Sequence, residues 1–235
     1  MTERTNINKH IDVLDHGFVR LVDYMGSDTS IVRGARVSYD AAWRAGEDTK
    51  GDARLMNYLY KNGHSTPFET VTVTFEVKAP IFVLRQWHRH RTQSYNELSA
   101  RYRELPEEFY VPEVEQITTQ SKDNKQMRTD EVHENALLIK MHIREQNKEA
   151  FQRYKFLLEE GCPRELARSV LPVGTYSHMF ATMNLHNCFK FLSERLHPHA
   201  QYEIFVYAQA ILDLLEPVYP EAVKVFKTHT LKEEV

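Results

Sequence analysis

The stretch 70–78 alternates without a break: Val71, Val73, Phe75 and Val77 are apolar, and Thr72, Thr74, Glu76 and Lys78 are polar. Successive side chains of a strand point to opposite faces, so this pattern specifies a sheet with one buried side and one polar side. Pro80 follows at once and opens an apolar helix over 81–87, since a first helical turn accepts proline. A chain built around that strand needs helices to cover its apolar side, and the sequence supplies them. Residues 30–39 and 53–61 read as helices, the second with Leu55, Tyr58 and Leu59 on one side and a stop at Asn62-Gly63. A long helix is expected over 132–160, closed by Gly161-Cys162-Pro163, and a short one over 163–170. Asn184 is expected to cap a helix whose stripe is Leu185, Phe189, Leu192 and Leu196. The last helices are placed at 200–216, with Ile204, Ala208, Ile211 and Leu215 inward, and at 219–226. Strand signals recur at 18–25, ending in Gly26-Ser27-Asp28, and at 176–183. Residues 112–129 are polar and aperiodic and read as a surface excursion. Three or four strands among about seven helices predict an α+β fold: one helix-rich domain over 1–235 with a small, largely antiparallel sheet.

Glycine use narrows the function. Its eight glycines stand at 17, 26, 34, 46, 51, 63, 161 and 174. No spacing among them matches the Gly-x-Gly-x-x-Gly of a dinucleotide fold or the Gly-x-x-x-x-Gly-Lys of a P-loop. Cys162 and Cys188 are too few for a disulfide framework or a four-cysteine zinc site, which favours a reducing compartment. A net charge of -3 supplies no basic excess for a general nucleic-acid coat. Residues 1–9 carry charge and no apolar core, so no secretory signal is read there, and the apolar run 79–84 is far short of the ~20 residues a bilayer span needs. The expectation is a cytoplasmic protein with no membrane or nucleic-acid partner.

Five of the seven residues from Arg85 to Arg91 are cationic or titratable. A helix C-terminus decorated with positive charge is one explanation, because the helix dipole favours it. The segment then continues with specific small polar residues, Thr92-Gln93-Ser94-Tyr95-Asn96-Glu97-Leu98-Ser99-Ala100-Arg101. In extended backbone, Glu97, Ser99 and Arg101 point to one side. An arginine fork grips phosphate, and a carboxylate with a hydroxyl fixes orientation. Residue chemistry alone therefore supports a pocket for two phosphorylated ligands, the second held by Arg89, His90 and Arg91.

The same segment matches the R-H-R-x-x-S-x-N-E-x-S-x-R signature of the flavin-dependent thymidylate synthases at all eight fixed positions. Gly63-His64-Ser65-Thr66-Pro67-Phe68-Glu69 resembles that family's G-H-x-T-P-F-E element, and the stretch from Ala79 to Trp87 resembles its lead-in helix. Pro163-Arg164-Glu165-Leu166-Ala167-Arg168 with Leu171-Pro172, and Arg195 with His199-Ala200-Gln201, resemble its later motifs. The resemblance implies reductive methylation of dUMP to dTMP, with methylenetetrahydrofolate as one-carbon donor and FAD, reduced by NADPH, as hydride source. It implies that Arg89, His90, Arg91 and Glu97 touch FAD, with His64, Thr66 and Asn184 lining its site. It places Gln86, Trp87, His88 and Arg89, then Glu97, Leu98, Ser99, Ala100 and Arg101, and Arg168, around the nucleotide, with Arg195 against the pyrimidine as the catalytic group. It further implies a homotetramer with active sites between subunits.

A guanidinium suits that last role, because uracil becomes a better carbon nucleophile when negative charge on its N3 and O4 is stabilised. Asn184 and Arg195 lie eleven residues apart, three helical turns over ~16 Å, so one helix face can span a large flat ligand. A surface ion pair with Glu194 or Glu203 is the plainer use of Arg195. The chain departs from the family where His186 and Lys190 stand in place of the usual Arg and of Asn or His, and where Asn62 replaces a common His. Two other classes set the contrast. A metal-dependent nucleotide hydrolase would use His88/His90 or His197/His199 as ligands, although neither pair has an Asp or Cys at ligand spacing. A nucleic-acid module would use 85–101 as a basic strip with Tyr95 and Tyr102 for stacking. Neither cysteine has a base partner in sequence, so Cys188 reads as core and Cys162 as a helix-end residue.

Overall fold

The structure, a computed structural model, describes residues 6–231; the start of the charged segment 1–9 and both ends of the span 1–235 lie outside the described residues. Strands β1 (His10–Val13) and β2 (Gly17–Met25) form a hairpin. Gly26, at φ +84°, turns the chain out of β2, and a side chain there would press within 2.5 Å of Val71. Helix α1 (Asp28–Arg36) tightens into a 3-10 turn at Val37–Tyr39, and α2 (Thr49–Lys61) follows, capped by the Asp48 carboxylate, which accepts from Gly51 N. Then come β3 (Thr72–Pro80), α3 (Ile81–Trp87) and β4 (Ser94–Glu97). A two-stranded ribbon, β5 (Thr118–Gln120) with β6 (Arg128–Val132), precedes the long α4 (Ala136–Glu159) and the single turn α5 (Arg164–Ala167). The chain ends in β7 (Tyr176–Asn184), α6 (Leu185–Arg195), α7 (Tyr202–Leu215) and α8 (Pro220–Thr230).

One antiparallel sheet in the order β1-β2-β3-β7-β4 organises all of this. The alternation in β3 is realised as read: Val73, Phe75 and Val77 are fully buried, each contributing about 1.5–3 kcal/mol of apolar transfer. They pack with Val19, Leu21, Met179 and Ala181 under α6, α7 and α8. The other side of the sheet stays polar, with Arg20 ion-paired to Glu76 and Thr74 hydrogen-bonded to Thr182 at 2.9 Å. Phe180, paired across the sheet with Glu76 and Asn96, is exposed on that side. A second cluster, Phe109, Val111, Phe151, Tyr154 and Ala167, ties α4 to the rest.

The fold class stands, with three differences in detail. The main sheet has five strands, because the short β1 and β4 carry too few apolar residues to announce themselves. The stretch 112–129 includes a 3-10 turn and the first arm of the ribbon, with Thr119 and Thr129 joined at 2.6 Å. The long helix begins at Ala136 rather than 132, since Arg128–Val132 pairs with β5 instead.

Candidate functional site

The sheet and α6 bring the expected residues to three places. The first is a cavity of about 350 Å³ beside α6, walled by Tyr60, Phe68 and Phe189 with His64, His186 and Lys190 at its rim. His64 reaches it because Gly63, at φ +71°, bends the chain off α2, and its ring stacks on Tyr58. Asn184 sits at the N-terminus of α6, where its Oδ1 accepts from Asn187 N at 2.9 Å. Thr66 is exposed in a 3-10 turn just beyond His64. A lysine, two imidazoles and three aromatic rings fit a ring system joined to a diphosphate, which supports His186 and Lys190 as participants despite their departure from the family pattern. This wall does not contain Arg89, Arg101, Arg168 or Arg195, and a flavin dinucleotide is larger than the cavity. The fit is therefore to part of the cofactor.

The second place is the C-terminal end of α6. Arg195 Nε donates to His90 Nε2 at 3.0 Å, and its Nη2 lies 3.8 Å from Glu194. His90 is buried, set edge-on to Phe191, and its pKa is lowered, first by burial and then by the Arg195 cation. A neutral imidazole that accepts at Nε2 is the form this contact requires. The plainer use of Arg195 as a surface ion pair is thus only partly realised: Glu194 is near, while Glu203 is engaged by Arg128. Trp87 anchors the segment. It is fully buried, stacks on Phe191 at 4.5 Å, and donates to Gln93 Oε1 at 3.0 Å. Its side chain belongs to the core and leaves only main chain to offer a ligand. Arg89 and Arg91 are exposed either side of His90, and His88 lies edge-on to Tyr95 at 4.7 Å.

The third place is the outer edge of the sheet. Glu97 accepts from the buried Ser177 hydroxyl at 2.7 Å. The extended run stops there: Leu98 N bonds His178 O, Ser99 and Ala100 enter a turn, and Ser99 Oγ accepts from Arg101 N at 3.3 Å. Glu97, Ser99 and Arg101 consequently do not line one strand face as expected, because pairing with β7 ends at Glu97. Ala100 is buried. Arg101 instead approaches Glu165 at 3.5 Å, and Arg168 Nε donates to the Glu165 carbonyl at 3.3 Å. Two exposed guanidinium groups far apart in sequence thus converge on one residue, an arrangement suited to a phosphate.

Sequence reasoning missed several partners. Ser177, Glu165 and Gln93 escaped it because each is brought to its partner by strand pairing or a turn. A further network was missed as a unit: Gln86 hydrogen-bonds Gln201, which donates to the buried Glu203 at 2.7 Å, which in turn accepts from Arg128 and Tyr110. Cys188 is wholly buried and its thiol pKa is pushed up by burial, so it is a core residue as read; Cys162 is half-buried at the end of α4. Among the described residues, no group of three or more His, Cys, Asp or Glu is placed to hold a metal ion. No helix among them is long and apolar enough to cross a membrane.

Residues 20–221 match the family model described as thymidylate synthase complementing protein. Among curated relatives, the flavin-dependent thymidylate synthase of Treponema denticola is 46% identical over 228 residues, spanning 95% of this chain and 84% of its own. The enzyme of the same name from Thermus thermophilus is 48% identical over 226 residues, spanning 94% and 80%. Among solved structures, a UMP/dUMP methylase from Streptomyces cacaoi bound with 5-Br dUMP superposes with a TM-score of 0.85 at 35% identity, covering 94% of this chain and 98% of that one. The same methylase bound with 5-Br UMP gives a TM-score of 0.82 at 34% identity.

Proposed function

Since this chain belongs to the flavin-dependent thymidylate synthase family, we propose how its three clusters divide the family's work. The reaction is the reductive methylation of dUMP to dTMP, with methylenetetrahydrofolate as carbon donor. When bound, FAD reduced by NADPH supplies the hydride that completes the methyl group.

Arg195 is the catalytic group. Its guanidinium lies against the pyrimidine and stabilises negative charge on N3 and O4, which makes C5 a better nucleophile toward the incoming carbon. The observation that carries this assignment is the 3.0 Å hydrogen bond from Arg195 Nε to His90, which fixes the orientation of the fork and leaves Nη1 for a ligand while Nη2 pairs with Glu194 at 3.8 Å. Arg101 and Arg168 hold the nucleotide phosphate near Glu165, and Gln86, His88, Arg89, Glu97, Leu98, Ser99 and Ala100 complete its surroundings. Trp87 contributes there through main chain only. His64, Thr66 and Asn184 hold the flavin with His186 and Lys190, and Arg89, His90, Arg91 and Glu97 bind it from the signature segment.

The active enzyme is a homotetramer with sites between subunits, and its whole length acts as one catalytic domain. Support comes from the separation of flavin-side and phosphate-side residues, from a cavity that accepts only part of FAD, and from exposed apolar residues. Leu137 and Met141 stand one turn apart on α4, 63% and 49% exposed, and Phe180 is exposed on the sheet. A cytoplasmic setting is consistent with two unpaired thiols.

The test is direct. Purified protein is expected to show a flavin absorbance spectrum and to release tritium from C5 of labelled dUMP only when folate and reductant are both present. A colourless protein that cannot be reconstituted with FAD overturns the assignment.

A further inference from the structure

Glu203 is 4% exposed, and three side chains donate to it. Arg128 Nη2 bonds both its oxygens, at 2.8 and 2.7 Å, Tyr110 OH bonds Oε1 at 3.2 Å, and Gln201 Nε2 bonds Oε2 at 2.7 Å. Arg128 is itself fixed on the ribbon, its Nη1 donating to Gln116 O at 2.8 Å. Three parts of the chain thus meet at one carboxylate, β6, the chain around Tyr110 and the start of α7, while the segment before the ribbon braces Arg128.

The polarity of this network has a consequence for Gln86. An amide side chain has a donor end and an acceptor end, and nothing intrinsic tells it which way to face. A carboxylate gripped by a guanidinium only accepts. Gln201 must therefore turn its nitrogen to Glu203 and its oxygen the other way. That oxygen takes the nitrogen of Gln86, which leaves the Gln86 carbonyl oxygen as the end not used in the relay. The handedness of two amides is set by one buried charge.

We propose that Glu203 is a positioning residue for the nucleotide site: through Gln201 it fixes Gln86 so that Gln86 offers an acceptor, not a donor, to an N–H or O–H of the deoxyuridine nucleotide. The ribbon serves the same end, because Arg128 holds the carboxylate that sets the relay. This rests on the placement of Gln86 at the nucleotide. Without the relay, both amides are free to turn over, and Gln86 presents its two ends in competition.

The experiment uses the flavin-loaded enzyme and three variants, with kcat and KM for dUMP measured by tritium release and flavin content by absorbance. Gln86→Ala checks the underlying placement and is expected to raise KM. Gln201→Met removes the link while leaving Arg128, Tyr110 and Glu203 together. It is expected to raise KM about tenfold with kcat within about twofold and flavin content unchanged. Glu203→Gln, which can donate as well as accept, is expected to raise KM in the same sense. If Gln86→Ala raises KM and Gln201→Met does not, the relay is wrong while Gln86 keeps its place. If Gln86→Ala leaves KM unchanged, the placement and the relay fall together. If Gln201→Met sheds flavin or loses kcat in step with affinity, the network is a structural support and the proposal is overturned.

Discussion

At the residue level the contact that matters most is Arg195 on His90. Arg195→Ala is expected to abolish turnover while flavin stays bound, as seen in the absorbance spectrum of an inactive protein. His90→Ala removes a hydrogen bond to a charged group, worth about 1.5–3 kcal/mol, and is expected to cost roughly tenfold to a hundredfold in kcat/KM. The pH behaviour follows from burial and the neighbouring cation, which lower the His90 pKa despite the opposing pull of Glu194. An unfolded chain binds this proton near pH 6.5, whereas the folded one binds it only at lower pH. Stability from a neutral His90 is therefore fully present above about 6.5 and falls as pH drops toward the folded value. Activity follows the same limb, since a protonated ring cannot accept from Arg195. His90→Gln keeps an acceptor without a proton to gain. Its melting temperature is expected to depend less steeply on pH below 6.5 than that of the wild type, and an unchanged slope would contradict the role given to His90.

Elements show where the sequence was informative and where it was silent. Strand β3 and helices α6 and α7 declared themselves through periodicity, because each buries one face more than the other, and α3 through the proline that opens an apolar stretch. Asn184 also announced its role, as a side chain that accepts at a helix start. β4 did not: its burial comes from pairing with β7, more than eighty residues on, and no local pattern records that. Similar sequence distances hid Ser177 behind Glu97, eighty residues apart, and Glu165 behind Arg101. Asp28 is a sharper case. It reads as part of the turn into α1, yet its carboxylate accepts from Glu221 N and Ala222 N, at 2.9 and 3.1 Å, and so caps α8 across the molecule. Burial raises its pKa against those two bonds. Asp28→Ala is expected to destabilise by about 1–2 kcal/mol, lowering Tm by roughly 2–8 °C in calorimetry. Gly26→Ala is expected to cost about 1–3 kcal/mol, because it combines a strained positive φ with a clash at Val71.

The whole molecule is one sheet with helices on one side and a polar, partly apolar face on the other. Phe180 on that face and Leu137 and Met141 on α4 are exposed apolar residues that the proposed association of copies would cover. In native mass spectrometry the wild type is expected as a four-chain species, and Phe180→Asp or Met141→Asp is expected to shift it toward smaller ones with loss of bound flavin. A protein that keeps its flavin as a monomer would refute the shared site. Helix α6 carries a different implication. Leu185, Cys188, Phe189 and Leu192 bind it to the core, whereas His186, Lys190 and Ser193 line the cavity beside it along with part of Phe189. Positions 186 and 190 can therefore change without loosening the fold, and a library at these two sites would vary ligand preference in a population of variants that nearly all still fold.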